Sequence, residues 1–397
     1  MEPDPRPSVS APAAQLAWLE RELDRWVAQG RIDAATAAGI RGQYTAGRRF
    51  SVARLLLALG GGFVGVGLIW LVAANLEELS PVTRFVGITA FWLLAVVAGE
   101  LLDERRNTPR DALVGAVRLV AALAFGAVVF QAAQSLQVPA YDSGLLGVWA
   151  AGALLYAYAA ASVAPLLVGI VTGVGWFVWA VVEQQESVRG VVLAFVLGAV
   201  LATAVAVAHT GRWQPQFAAP WRFASALLVL VGLFVAAFPR LGEVDDEPLG
   251  GLVWVGAAVA LLAAATAGVR ADTRGRQELG AVVLAAGLAA LLLLWTPPEV
   301  DSVAELSGEG LLRAIVAILV YLLAAAWIAA LGVLRDGRGL TQLATAGLVL
   351  FTVVQSFAVF EPILSGAALF LVLGAILIGT GYLVERGRRR LVTEVTS

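Results

Sequence analysis

From residue 53 to residue 384 the chain alternates long apolar runs with short polar breaks. The runs are 53–74, 82–102, 112–135, 143–162, 164–182, 188–208, 221–239, 249–269, 278–296, 311–334, 340–360 and 363–384. Crossing about 30 Å of hydrocarbon takes a helix of about 20 residues, and each run is near that length. The pattern predicts an all-α polytopic membrane bundle over 51–385, with about twelve spanning helices. The fourth and fifth runs are separated only by Val163, with Pro165 as the breaker, so whether they are two full crossings stays open. The sixth connection, HTGRWQPQFAAPWR, is a possible divide between two six-helix halves, although the halves show no matching repeat.

Ahead of the runs the pattern changes. In QLAWLERELDRWVAQG, Leu16, Leu19, Leu23 and Trp26 recur at helical spacing, with Glu20, Arg21, Asp24 and Arg25 elsewhere. Gly30 supplies a helix stop, and Asp33 caps a second helix, Ala34 to Tyr44, with Ala37, Ile40 and Tyr44 on its inner face. Residues 14–50 therefore read as a small cytoplasmic helical hairpin. Residues 1–13, with four prolines, read as a segment without fixed structure. This Pro-rich start does not resemble a cleaved signal, so insertion is expected to follow from the first spanning helix.

Composition supports the membrane reading. The 397 residues are 60% hydrophobic and 14% charged, with a mean hydropathy of +0.84; a soluble domain has about 25% charged residues. Net charge is −2, and its distribution says more than its total. Arginines gather in the N-terminal region and in alternate connections: Arg105, Arg106 and Arg110; Arg212 and Arg222; Arg270, Arg274 and Arg276; Arg335 and Arg338; then the tail 386–397. The opposite connections are acidic, with Glu77 and Glu78, Glu243 to Glu247, and Glu299 to Glu309. Arg84, Arg189, Arg240 and Arg313 are the exceptions. The positive-inside bias then places both termini in the cytoplasm and the bundle in the inner (plasma) membrane.

Several chemistries lose their residues. There is no cysteine, all 27 basic residues are arginine, and there is one histidine. Thiolate metal sites, lysine Schiff bases, phosphate-loop lysines and a zinc-binding histidine pair are therefore excluded. No Asp or Glu falls in the middle of a run, Glu100 and Glu183 being at ends, which disfavours ion-coupled transport. No catalytic, cofactor or metal residues are assigned, and no nucleic-acid partner is expected.

The candidates are polar residues at membrane positions. Arg118 lies inside the third run, where its side chain either snorkels, makes a structural hydrogen bond, or serves function. Gln131 and Gln134 share a face further along that run, roughly opposite Arg118, with Asp142 just beyond. They either line a polar vestibule or bond between helices. Gln355 is a similar lone polar residue. His209 is expected solvated at the interface, and Trp70, Trp92, Trp149, Trp176, Trp179, Trp213, Trp221 and Trp295 to form aromatic belts. Gly60, Gly62 and Gly65 match a dinucleotide-loop spacing but sit inside an apolar run, which favours helix packing. Gly61/Gly65 and Gly169/Gly173 are small-residue pairs that permit close helix approach, within or between chains.

The strings LERELDRWVAQGRIDAATAAGIRGQY, LGGGFVGVGLIWLVAANLEELSP and FQAAQSLQVPAYDSGLLGVWAAGALLYAYAAAS resemble a bacterial and archaeal membrane-protein family, domain of unknown function 2157. The resemblance covers roughly residues 15–180, and the ending LVLGAILIGTGYLVERGRRR is similar too. It implies a Gln-Asp-Trp pattern at Gln131 or Gln134, Asp142 and Trp149. Asn75-Leu76 departs from the Asn-Trp pair the family would place there. The family implies architecture and no particular activity.

The leading functional expectation is a non-enzymatic multi-pass protein, contacting membrane lipids and engaging a protein partner through its hairpin in assembly or sensing. The alternatives are a transporter or facilitator of a small or lipidic solute, and an enzyme on lipid-linked substrates. A hydrated mid-depth pocket lined by the glutamines would mark the transporter. Carboxylates and arginines converging at one rim would mark lipid-linked chemistry. Oligomeric state is open.

Overall fold

The computed structural model describes residues 9–11, 13–46, 56–57, 59–64, 67, 80–103, 111–184, 187–210, 213–238, 249–295, 308–335 and 337–360. The twelfth expected run, the tail 386–397 and most of the first run lie outside the described residues, as do Gly65, Trp70, Glu77, Glu78, Arg105, Arg106, Arg110, Arg212, Arg240 and the acidic stretches 243–247 and 299–305.

Helices α1 (Ala13–Ala28) and α2 (Ala34–Gln43) form the N-terminal hairpin, with Leu23 and Ala37 buried. Gly30 turns the chain at φ +67°, so the N–H of Gly30 reaches Val27 O and that of Arg31 reaches Trp26 O. Only glycine adopts this left-handed conformation without a Cβ penalty. Asp33 accepts from the Thr36 N–H at 2.7 Å and caps α2. Its hydrogen bonds with Thr36 hold the carboxyl below the usual carboxylate range. Arg41 of α2 pairs with Asp24 of α1. Two expectations change here. Val9–Ala11, within the stretch expected to lack structure, forms a short strand in parallel register with Tyr44–Ala46. Tyr44, placed on the inner face of α2, is exposed, because its backbone is already extended and belongs to that second strand.

Beyond the partly described helical residues between 56 and 67, ten helices follow among the described residues: α3 (Pro81–Asp103), α4 (Asp111–Ser135), α5 (Ser143–Ala159), α6 (Val163–Gln184), α7 (Val188–Ala208), α8 (Ala218–Ala236), α9 (Gly251–Arg270), α10 (Thr273–Leu294), α11 (Gly308–Leu334) and α12 (Arg338–Phe360). Each coincides with one expected run between 82 and 360. Among the described residues eight helices, α3, α4 and α6 to α11, are long and apolar enough to cross a bilayer. Of the twelve expected runs, the first falls mostly and the twelfth wholly outside the described residues. At 17 residues, α5 reaches only about 25 Å.

The fourth and fifth runs are two helices. Ala161 takes φ +50° between them, and the N–H groups of Ala160 and Ser162 return to Tyr156 O and Ala157 O. Pro165 falls in the first turn of α6, where its missing N–H would have no helical acceptor. The two helices then pack closely. A Cβ on Gly169 would lie 3.0 Å from Leu154 N and 2.7 Å from its side chain. The Gly169/Gly173 pair therefore serves packing within the chain.

The largest apolar core joins α7 to α12 through residues such as Val196, Leu233, Val282, Tyr321 and Leu348. The connection after α7 therefore does not separate two halves, because α7 and α8 pack on each other. Tyr321 stacks on Phe351 at 3.8 Å between ring centres and donates to Gly347 O at 2.9 Å. By contrast, α3 and α9 bury only 11% of their most apolar windows, leaving Leu93, Leu94, Leu261 and Leu262 exposed, a surface that hydrocarbon covers.

Replacing Gly169 by Val should destabilise the α5–α6 pair by about 1–3 kcal/mol, read as a lower melting temperature in detergent. Val at Gly280, where a Cβ meets nothing within 4 Å, should melt close to wild type.

Candidate functional site

Side-chain contacts join the ends of α3, α5, α7 and α11 to the starts of α4, α8 and α10, so these share one side of the bundle. Three polar clusters sit on that side. In a low-dielectric region each ionisable group needs a partner, and in each cluster the partners come from different helices.

The first cluster contains Arg118, seven residues into α4. Its Nε donates to Glu100 Oε1 at 3.0 Å and its Nη2 to Glu100 Oε2 at 2.6 Å, a two-pronged pairing, with Asp103 Oδ2 at 3.2 Å. Tyr156 of α5 donates to Glu100 Oε1 at 3.0 Å. Arg118 is thus held in a hydrogen-bonded ion pair, with Glu100 as its counter-charge. This ties α3, α4 and α5 together.

The second cluster is aromatic. His209, expected to be solvated, is 2% exposed. It is covered because the turn after α7 folds Trp213 and Phe217 back over it, and its ring stacks with those of Tyr158 and Trp213. His209 Nδ1 lies 2.8 Å from Trp213 O and Nε2 lies 2.9 Å from the Tyr158 hydroxyl. A carbonyl only accepts, so Nδ1 donates to Trp213 O, while Nε2 shares a hydrogen bond with the Tyr158 hydroxyl.

The third cluster was not foreseen. Glu278, in the second turn of α10, is 3% exposed and paired with two arginines. Arg222 Nε of α8 donates to Oε2 at 2.8 Å, and Arg335 Nε, just past α11, donates to Oε1 at 2.7 Å. Arg222 Nη2 also donates to the Thr210 hydroxyl after α7. One carboxylate thus holds two guanidiniums and four helix ends together. In the sequence, Arg222 and Arg335 look like loop charges, and Glu278 is the first position of its run. The available signal was three opposite charges, each within a turn of a run boundary on the same side.

A cavity of about 250 Å³ opens directly from this cluster. Its polar end holds Arg222, Glu278, Thr203 and Ser225, the last two hydrogen-bonded to each other at 2.6 Å. Its walls are apolar, among them Val282, Leu288, Val320 and Ile328. Leu284 and Leu323, which also line it, are 63% and 69% exposed, so the cavity opens laterally toward the surface that hydrocarbon covers. An apolar slot with a charged inner end suits an amphipathic molecule.

The five sequence candidates do not come together. Arg118 and Gln131 are thirteen residues apart on α4, roughly 20 Å along the axis. Gln131 is buried, while Gln134 is exposed, because α4 turns that face outward near its end. Asp142 caps α5 by accepting from Gly144 N at 2.8 Å. Gln355 is buried, and its Nε2 has no hydrogen-bond partner among the described residues. None of the five lines the cavity. Two other expectations shift as well. Arg313, counted as an outer loop charge, is buried and donates to Leu292 O and Trp295 O, closing the end of α10. Trp149, expected in an aromatic belt, donates to Ala122 O at 2.8 Å, because its ring fills the space left by Gly126.

Eight apolar helices of spanning length, with ionic clusters held between their ends, define a multi-pass integral membrane protein. Residues 24–167 match the family model described as predicted membrane protein (DUF2157), a segment that takes in most of the hairpin and α3 to the start of α6. No curated protein and no solved structure matches the chain. The Glu278 cluster and its cavity lie beyond the family match.

Glu278→Ala leaves two guanidiniums without their shared carboxylate and should cost about 3–5 kcal/mol. Glu278→Gln, which keeps an acceptor, should lose less. Unfolding in mixed micelles checks both, and equal melting of Glu278→Ala and wild type would remove the cluster's structural role.

Proposed function

We propose that this is a non-enzymatic multi-pass protein of the inner membrane that binds an amphipathic molecule taken from the bilayer. The carrying observation is the cavity between α8, α10 and α11, with apolar walls, an ionic inner end and a lateral mouth beside Leu284 and Leu323. The glutamines that would have marked a solute pathway lie elsewhere, which weighs against the transporter reading. The test is lipid retention through detergent exchange, read by mass spectrometry of the intact protein. Wild type should keep a bound lipid. Ala285→Trp, which fills the cavity, should lose it, whereas Leu262→Trp on the exposed face of α9 should not. Equal retention in all three would sink the proposal.

Chemistry on a lipid-linked substrate is the second reading, because carboxylates and arginines do converge on one side. Against it, both oxygens of Glu278 are engaged by arginine and neither is free to move a proton. Recovery of a chemically altered lipid in the same experiment would favour this reading instead.

We further propose about twelve crossings with both termini cytoplasmic, supported by the alternation of arginine and acidic connections. The hairpin is then a cytoplasmic platform for a protein partner, supported by Trp18, which is 54% exposed on α1. The absence of cysteine makes the topology simple to check. A single cysteine placed at Gln29 should react with an impermeant maleimide only after the cells are opened, and reaction in intact cells would reverse the orientation.

A further inference from the structure

The cavity and its ionic end together identify a class of ligand. Two arginines share one carboxylate, so the cluster carries an excess positive charge where each uncompensated charge is expensive. Glu278 has both oxygens occupied and offers nothing to a cation. Arg222, by contrast, has five N–H donors and, among the described residues, two acceptors, Glu278 and Thr210. Arg222 itself lines the cavity, together with Thr203 and Ser225. A guanidinium with free N–H groups is suited to a phosphate in a two-pronged geometry. The cluster also stands at the helix ends, which is headgroup depth, while the walls and the mouth at Leu284 and Leu323 continue into the hydrocarbon zone. Basic pockets between spanning helices bind anionic headgroups for this reason.

We propose that the bound molecule is an anionic phospholipid, with a chain along Val282, Leu288 and Val320 and its phosphate on Arg222 beside the Glu278–Arg335 pair. This rests on the amphipathic-ligand reading and adds the sign of the headgroup.

The experiment uses the full chain in nanodiscs of equal phosphatidylglycerol and phosphatidylethanolamine, followed by mass spectrometry of retained lipid. Wild type should prefer phosphatidylglycerol by about tenfold, as expected for a charge-assisted hydrogen bond. Arg222→Gln removes the excess charge and leaves Glu278 paired with Arg335, so that preference should fall to near unity while total retention persists. Glu278→Gln adds a positive charge and should raise the preference. A merely structural cluster would not shift selectivity in opposite directions in these two variants, even if both melted earlier. Equal retention of the two lipids by wild type would overturn the anionic headgroup and leave the amphipathic reading standing. No retained lipid would overturn both. Displacement by inorganic phosphate, with Ala285→Trp retaining the anion site, would overturn the lipid and mark a free-phosphate site.

Discussion

A guanidinium or carboxylate buried between helices costs several kcal/mol unless a partner of opposite charge meets it with good geometry. This chain meets that constraint by drawing each pair from separate helices. Glu278 joins α10 to α8 and to the end of α11, and Arg118 on α4 finds Glu100 and Asp103 on α3 and Tyr156 on α5. Lipid gives no hydrophobic drive for one apolar helix to prefer another. Such pairs therefore favour one arrangement of helices that would otherwise be nearly interchangeable.

Small residues do the complementary work. Gly169 against Leu154, and Gly126 against Trp149, bring helices close enough for extensive dispersion contact. The ionic clusters choose neighbours at one side of the bundle, and the close contacts hold them together through its depth. At the Glu278 cluster the two effects diverge. There α8, α10 and α11 are tied at their ends, yet leave a lateral slot between them. The same charges that fix the helices then line the slot, so a cavity arises where packing is incomplete. In the proposed reading, binding and stability share residues there, and variants must be read by lipid selectivity as well as by melting.

The sequence by itself determined the class of fold, because apolar runs of fixed length answer to the thickness of the hydrocarbon. It also placed the local features governed by neighbours along the chain: the stop at Gly30, the cap at Asp33, and the break ahead of Pro165. It named the family that residues 24–167 match. The candidate site was beyond its reach. Arg222, Glu278 and Arg335 span more than a hundred positions, and each one alone resembles an ordinary charge at a helix end. His209 looked solvated for the same reason, since the rings that cover it include Tyr158, 51 positions earlier. Hydropathy reports what each segment prefers as solvent, and it says nothing about which segments become neighbours. Only the tertiary arrangement, through long-range charge pairing and close packing at glycines, decided that these groups meet.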